Sequence, residues 1–81
     1  MKSILLELIP IDPGLDKFLA EIKASYQIVP EAKILDRIRH DSIGNIADGR
    51  EYKVFENGGW LISGKIDDEE PGSIWIEVFK K

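Results

Sequence analysis

At 81 residues, with 43% hydrophobic and 32% charged side chains, the chain suits one small globular domain and leaves no room for a second core. It has no cysteine, so disulfides and thiolate zinc sites are excluded, and stability must come from an apolar core, alone or with a second subunit. A net charge of −4 disfavours a phosphate backbone as ligand and points to a basic protein partner or to simple solubility.

Ser3 to Ile9 predict a strand. Ile4, Leu6 and Leu8 fall on one face, while Leu5 and Ile9 make the other face apolar too, which predicts a central strand covered on both sides. Pro10 ends it, lacking a ladder donor. The apolar run Ile4-Leu5-Leu6-Glu7-Leu8-Ile9 is too short to span a bilayer. It also lacks the basic start and small-residue cleavage site of a signal peptide. The expected location is therefore the cytoplasm.

A helix follows, with Asp12 as its expected cap and Pro13 as its first turn. Leu15, Phe18, Leu19, Ile22 and Tyr26 recur at spacings of three and four and form one apolar stripe. Gly14 weakens the first turn, so the helix could begin as late as Asp16. From Pro30 or Glu31 to about Asp41 a second helix is predicted, with Ile34, Leu35 and Ile38 on one face. The isoleucines of this segment, alternating in part, pull toward strand instead. Asp41 to Arg50 reads as a loop.

The remainder predicts three strands: Arg50–Glu56, Trp60–Asp67 and Ser73–Phe79. Between the first two, Asn57-Gly58-Gly59 predicts a three-residue hairpin loop with a left-handed glycine. That register puts Val54 opposite Ile62, Tyr52 opposite Gly64 and Glu51 opposite Lys65. Tyr52, Val54, Ile62 and Ile66 then share one face, and Glu51, Lys53, Ser63 and Lys65 the other. Gly64 is expected either to admit the Tyr52 ring or to mark a bulge. In the last strand Ile74, Ile76 and Val78 share a face, with Trp75, Glu77 and Phe79 opposite. A Pro-Gly turn closes the second hairpin. The fold class is α+β: a single β-α-α-β-β-β domain over residues 1–81, its antiparallel sheet carrying both helices on one face.

Chemistry is sparse. The single His, His40, has neither Ser nor Cys beside it in sequence, and a catalytic triad needs its members within hydrogen-bond reach. An exposed hairpin loop would leave Asp67, Asp68, Glu69 and Glu70 solvated, without the burial that tunes a catalytic acid. Their spacing is not that of an EF-hand. Asn57-Gly58-Gly59 links two strands, whereas a phosphate-binding loop opens a helix. No cofactor, metal or catalytic residue is expected.

Two clusters remain. Lys33, Arg37, Arg39 and His40 form a basic group, interleaved with Glu31, Asp36 and Asp41, which neutralise much of it. The acidic excess lies in the second half: residues 1–40 carry six basic and six acidic side chains, and residues 41–81 carry five and nine. Asp67 to Glu70, beside Asp48, Glu51 and Glu56, could steer a basic partner. Trp60, Trp75 and Phe79 are aromatic anchors of the kind that dominate interfaces. The expectation is a small acidic protein-binding module, an inhibitor such as an immunity protein or antitoxin covering a nuclease toxin. Asp67, Asp68, Glu69, Glu70, Trp60, Trp75 and Phe79 would meet the partner. The alternatives are a regulatory or nucleic-acid-binding domain using Lys33, Arg37 and Arg39, or a homo-oligomeric structural protein paired at a sheet edge. Nucleic acid is disfavoured by the charge, and no membrane association is expected.

Overall fold

Six elements follow one another along residues 2–43 and 49–81, the part of the chain that this computed structural model describes. They are β1 (Lys2–Pro10), α1 (Gly14–Tyr26), α2 (Ala32–Ile43), β2 (Glu51–Glu56), β3 (Trp60–Ile66) and β4 (Ser73–Lys80). The α+β class and the β-α-α-β-β-β order are as expected. All strand pairs are antiparallel, in the spatial order β1-β4-β3-β2.

In α1, Leu15, Phe18, Leu19 and Ile22 are buried, because spacings of three and four place them on one side of a 3.6-residue turn. Tyr26 ends the stripe partly exposed. The helix starts at Gly14, and Asp12 does not cap it: Pro13 holds the cap position without a side-chain hydrogen bond. Gln27, in the left-handed conformation, closes the other end by donating its backbone N–H to the Lys23 carbonyl. The second segment is helix rather than strand. In α2, Ile38 is fully buried and Ile34 and Leu35 pack partly against the core. Asp41, Ser42 and Ile43 belong to this helix. The rest of the loop expected up to Arg50 lies largely in residues 44–48, outside the described residues.

Beneath both helices, Ile62, Ile66, Ile74, Ile76, Val78 and Val54 have no solvent exposure. Ile11 and Ile28, in the connections flanking α1, join the same cluster. Gly64 is buried in this face and pairs regularly with Tyr52 and Ile76, so it marks no bulge. A Cβ there would sit 2.9 Å from Ile74 Cδ1 and 3.4 Å from Ile76 Cδ1. The space is taken by Ile74, Ile76 and Val54 rather than by the tyrosine ring.

β1 lies at the edge of the sheet, not at its centre. Ile4 and Leu6 are 38% and 58% exposed. Apolar residues on both faces of a strand suggest two-sided cover, but both helices lie on one side of this sheet, so no strand receives it. The first hairpin also departs from expectation. Asn57 and Trp60 bond each other through both backbone groups, at 3.0 and 3.3 Å, so the loop has two residues, Gly58 and Gly59. Neither is left-handed; Gly49 is the one glycine with positive φ among the described residues. Phe55, not Val54, pairs with Ile62, and a bulge between Lys53 and Phe55 takes up the extra residue. Beyond it, Tyr52↔Gly64 and Glu51↔Lys65 pair as the pattern requires.

Among the described residues, no helix is long and apolar enough to cross a membrane.

Candidate functional site on the uncovered sheet face

With both helices on one side, the other face of the sheet carries only its own side chains. Residues directly opposite in a ladder project from the same face. Leu8 and Lys65 therefore flank Trp75, Leu6 and Ser63 flank Glu77, and Leu61 sits beside Phe79. The face grades from apolar over β1 and β4 to polar over β3 and β2, where Glu51 and Lys53 project. Trp75 is 39% exposed and Phe79 half-buried on this face.

A shallow groove of about 490 Å³ crosses this face, walled by Leu6, Trp75, Glu77, Phe79, Lys65 and Glu51 among others. A second concavity of about 300 Å³ shares Lys65 and Trp75 with it and is also lined by Asp67, Asp68 and Glu69. Trp75 thus joins the apolar face to the acidic loop. The loop is shaped by its own bonds. Glu69 N–H donates to Asp67 Oδ1 at 2.8 Å, Ser73 N–H to the Glu70 carbonyl at 2.8 Å, and Asp67 N–H to the Ser73 carbonyl at 3.0 Å. Asp68, Glu69 and Glu70 remain exposed.

Not every expected contact residue lies here. Trp60 shares the helix-covered face with Ile62 and Ile66, at the opposite end of β3 from Asp67. Its ring centroid is 5.0 Å from that of Tyr26, and Lys80 Nζ lies 5.8 Å from it. It closes the core beside α1. Glu56 is also remote from the acidic loop, held by Lys53 at 2.8 Å and Lys81 at 3.0 Å. The hydrogen bond from Lys53, then that from Lys81, hold its carboxyl down to about 2. Asp48 lies outside the described residues. What the structure brings together is Trp75, Phe79 and the Asp67–Glu70 loop, with Leu6 and Leu8 as apolar neighbours that the sequence did not single out.

The basic cluster is on α2, and its arginines are engaged. Arg39 pairs with Asp16 of α1, tying the two helices, and Arg37 Nε lies 3.3 Å from the Asp41 carboxylate. His40 is exposed in the last turn of α2 and lines neither groove.

One polar constellation escaped the sequence reading. Asp41, 1% exposed, accepts hydrogen bonds from the Tyr52 hydroxyl and from Arg50 Nη1, the latter at 2.8 Å. The tyrosine hydrogen bond, followed by those of the arginines, holds the Asp41 carboxyl below the usual carboxylate range against the opposing effect of burial. Tyr52 is pushed up, first by burial and then by Asp41. The cluster pins the end of α2 to the start of β2. A signal was available in the i, i+4 spacing of Arg37 and Asp41. Nothing local predicts Tyr52.

Among the described residues, no three His, Asp or Glu side chains converge to hold a metal ion. No protein-family model, curated protein or solved structure matches this chain.

Proposed function

We propose that this protein is a small binding module that takes a basic protein partner on its uncovered sheet face. The observation that carries this reading is Trp75, exposed on that face and lining one concavity with Asp67, Asp68 and Glu69. An arginine or lysine from a partner would find there an aromatic face for a cation–π contact, with carboxylates beside it. Leu6, Leu8 and Phe79 supply apolar area whose burial drives association at roughly 25 cal/mol per Å². The exposed acids supply the steering field. The narrower form is an inhibitor, of the immunity-protein or antitoxin kind, seated over the basic active site of a nuclease. The charge asymmetry supports that form.

Tagged wild-type protein, a Trp75→Ala variant and a variant with Asp67, Asp68, Glu69 and Glu70 changed to Lys would be used as parallel baits at low and high salt. The expected result is a basic protein held by wild type, released by salt and lost by both variants. Measured with that protein, Trp75→Ala should weaken binding roughly 30-fold, the effect of losing a central aromatic anchor. The reversed loop should slow association at least roughly tenfold at low salt. Equal capture by all three baits overturns the reading.

A further inference from the structure

The edge occupied by β1 presents a second surface, independent of the uncovered face. Ile11 N–H donates to the Gly72 carbonyl at 2.8 Å, continuing the β1–β4 ladder. The alternation of an antiparallel ladder then turns the backbone groups of Leu8 and Leu6 away from β4. Such a row of unpaired donors and acceptors is complementary to one thing, another extended strand. The opposite edge, β2, is dressed with Glu51, Lys53 and Glu56, and Lys53 and Glu56 pair with each other at 2.8 Å. On β1 the exposed Ile4 and Leu6 lie between two charges of opposite sign, Lys2 and Glu7.

Those charges identify the strand that fits. Five residues apart, Lys2 and Glu7 would project from opposite faces of a regular strand. The bulge between Ser3 and Leu5 changes that: Lys2 pairs with Lys80 and Glu7 with Ile76, which puts both on the helix side of the sheet. Lys2 thus meets a like charge across the ladder, an unfavourable pairing. Neither Lys2 nor Glu7 has an ion-pair partner among the described residues. We propose that β1 is the association edge for a second copy of this chain, paired antiparallel about a twofold axis between Ile4 and Leu5, with Lys2 of each copy opposite Glu7 of the other. In that register Ser3 of each copy meets Leu6 of the other on the uncovered face, and the two bulges lie opposite one another. The twofold makes both contacts twice, as an isologous interface requires. The result is one continuous eight-stranded sheet with helices on one side. The edge backbone and the Lys2–Glu7 pairs carry it, with Leu6 alone shared with the face, so it stands or falls apart from the basic-partner reading.

Sedimentation equilibrium over about 1 µM to about 1 mM at low salt tests it, a range that resolves dimers of modest affinity. Lys2→Glu and Glu7→Lys, both at exposed positions, should each weaken the dimer about tenfold, since each turns two attractive pairs into two repulsive ones. The double variant restores opposite charges and should return the dissociation constant to within about threefold of wild type. Circular dichroism confirms that each variant is folded. A monomer at every concentration overturns the proposal. So does a dimer indifferent to the single charges, or one that the double variant fails to restore.

Discussion

Tyr52, on the first strand of the first hairpin, donates its phenolic hydrogen to Asp41, the one buried charged side chain among the described residues. The two are eleven positions apart and belong to different layers, so the bond ties α2 to the sheet.

Tyr52→Phe removes that donor and leaves the buried carboxylate short of a partner. A hydrogen bond to a charged group contributes about 1.5–3 kcal/mol, so the melting temperature should fall by on the order of 10 °C. Asp41→Asn should also destabilise at neutral pH, and it should flatten the acid limb. The folded state holds Asp41 below its ordinary value. Its contribution is therefore complete above the unfolded carboxyl's titration, near pH ~4, and is lost as pH falls through the lower folded value. Denaturant titrations from neutral to acid pH should show wild type losing more stability than Asp41→Asn over that interval. Parallel curves would remove Asp41 from this role.

Glu56 offers a direct readout of its two lysines. Held down to about 2 by Lys53 and Lys81, it too favours the folded state above its unfolded titration and loses that effect as pH falls toward about 2. Carbon-detected NMR should find it titrating well below the ordinary glutamate value. Lys53→Ala should move it upward, as should added salt, because the pair is exposed to screening.

The glycines of the first hairpin should tolerate a side chain. At Gly58 a Cβ meets nothing within 4 Å, and the backbone there is not left-handed. Gly58→Ala should therefore stabilise by about 0.4–1 kcal/mol through the unfolded chain alone. Gly49 is the opposite case. Its φ is +79°, and a Cβ would stand 3.0 Å from Asp68 Oδ1, so Gly49→Ala should destabilise by about 1 kcal/mol or more. Thermal melts of the pair decide both; destabilisation at Gly58 would mean that the hairpin needs a backbone conformation there that alanine resists.

At Gly64 the question is space. Gly64→Ala drives a methyl against Ile74 Cδ1, the far end of a flexible side chain, and should cost about 1–2 kcal/mol by overpacking. Ile74→Val deletes that carbon and should cost about 0.5–1.5 kcal/mol by itself. Combined, the two should cost clearly less than their sum. Strict additivity would place the strain elsewhere.

The helical stripe Leu15–Phe18–Leu19–Ile22 and the alternation of Ile74, Ile76 and Val78 were legible because burial in each follows a local period. The placement of β1 was not. Its run of apolar residues is compatible with a centre or an edge, and only pairing with β4 decides between them. In the first hairpin the pattern correctly set the register around Tyr52 and Gly64 yet misplaced the bend. A bulge at Val54 and a shorter loop leave the same residues facing inward. The acidic loop and Trp75 share one end of a hairpin, so their proximity could be read from the chain. Trp60 could not be separated from Trp75 by composition; counting residues along β3, with Ile62 and Ile66 inward, would have placed it on the helix-covered face. The Asp41–Tyr52 bond joins partners from two layers and has no local signature.

Because the helices cover one side only, neighbouring positions in β3 and β4 answer to different demands. Ile62, Gly64, Ile66, Ile74, Ile76 and Val78 are buried, and substitutions there test whether the chain folds. Leu61, Ser63, Lys65, Trp75, Glu77 and Phe79 alternate with them on the uncovered face, half-buried or exposed. Substitutions at these positions should lower the melting temperature less than those at the buried ones while altering what the surface meets. The hairpin interleaves positions held to a fixed volume with positions answerable to the surface, residue by residue. A lineage, or an experimenter, could rewrite the second without disturbing the first.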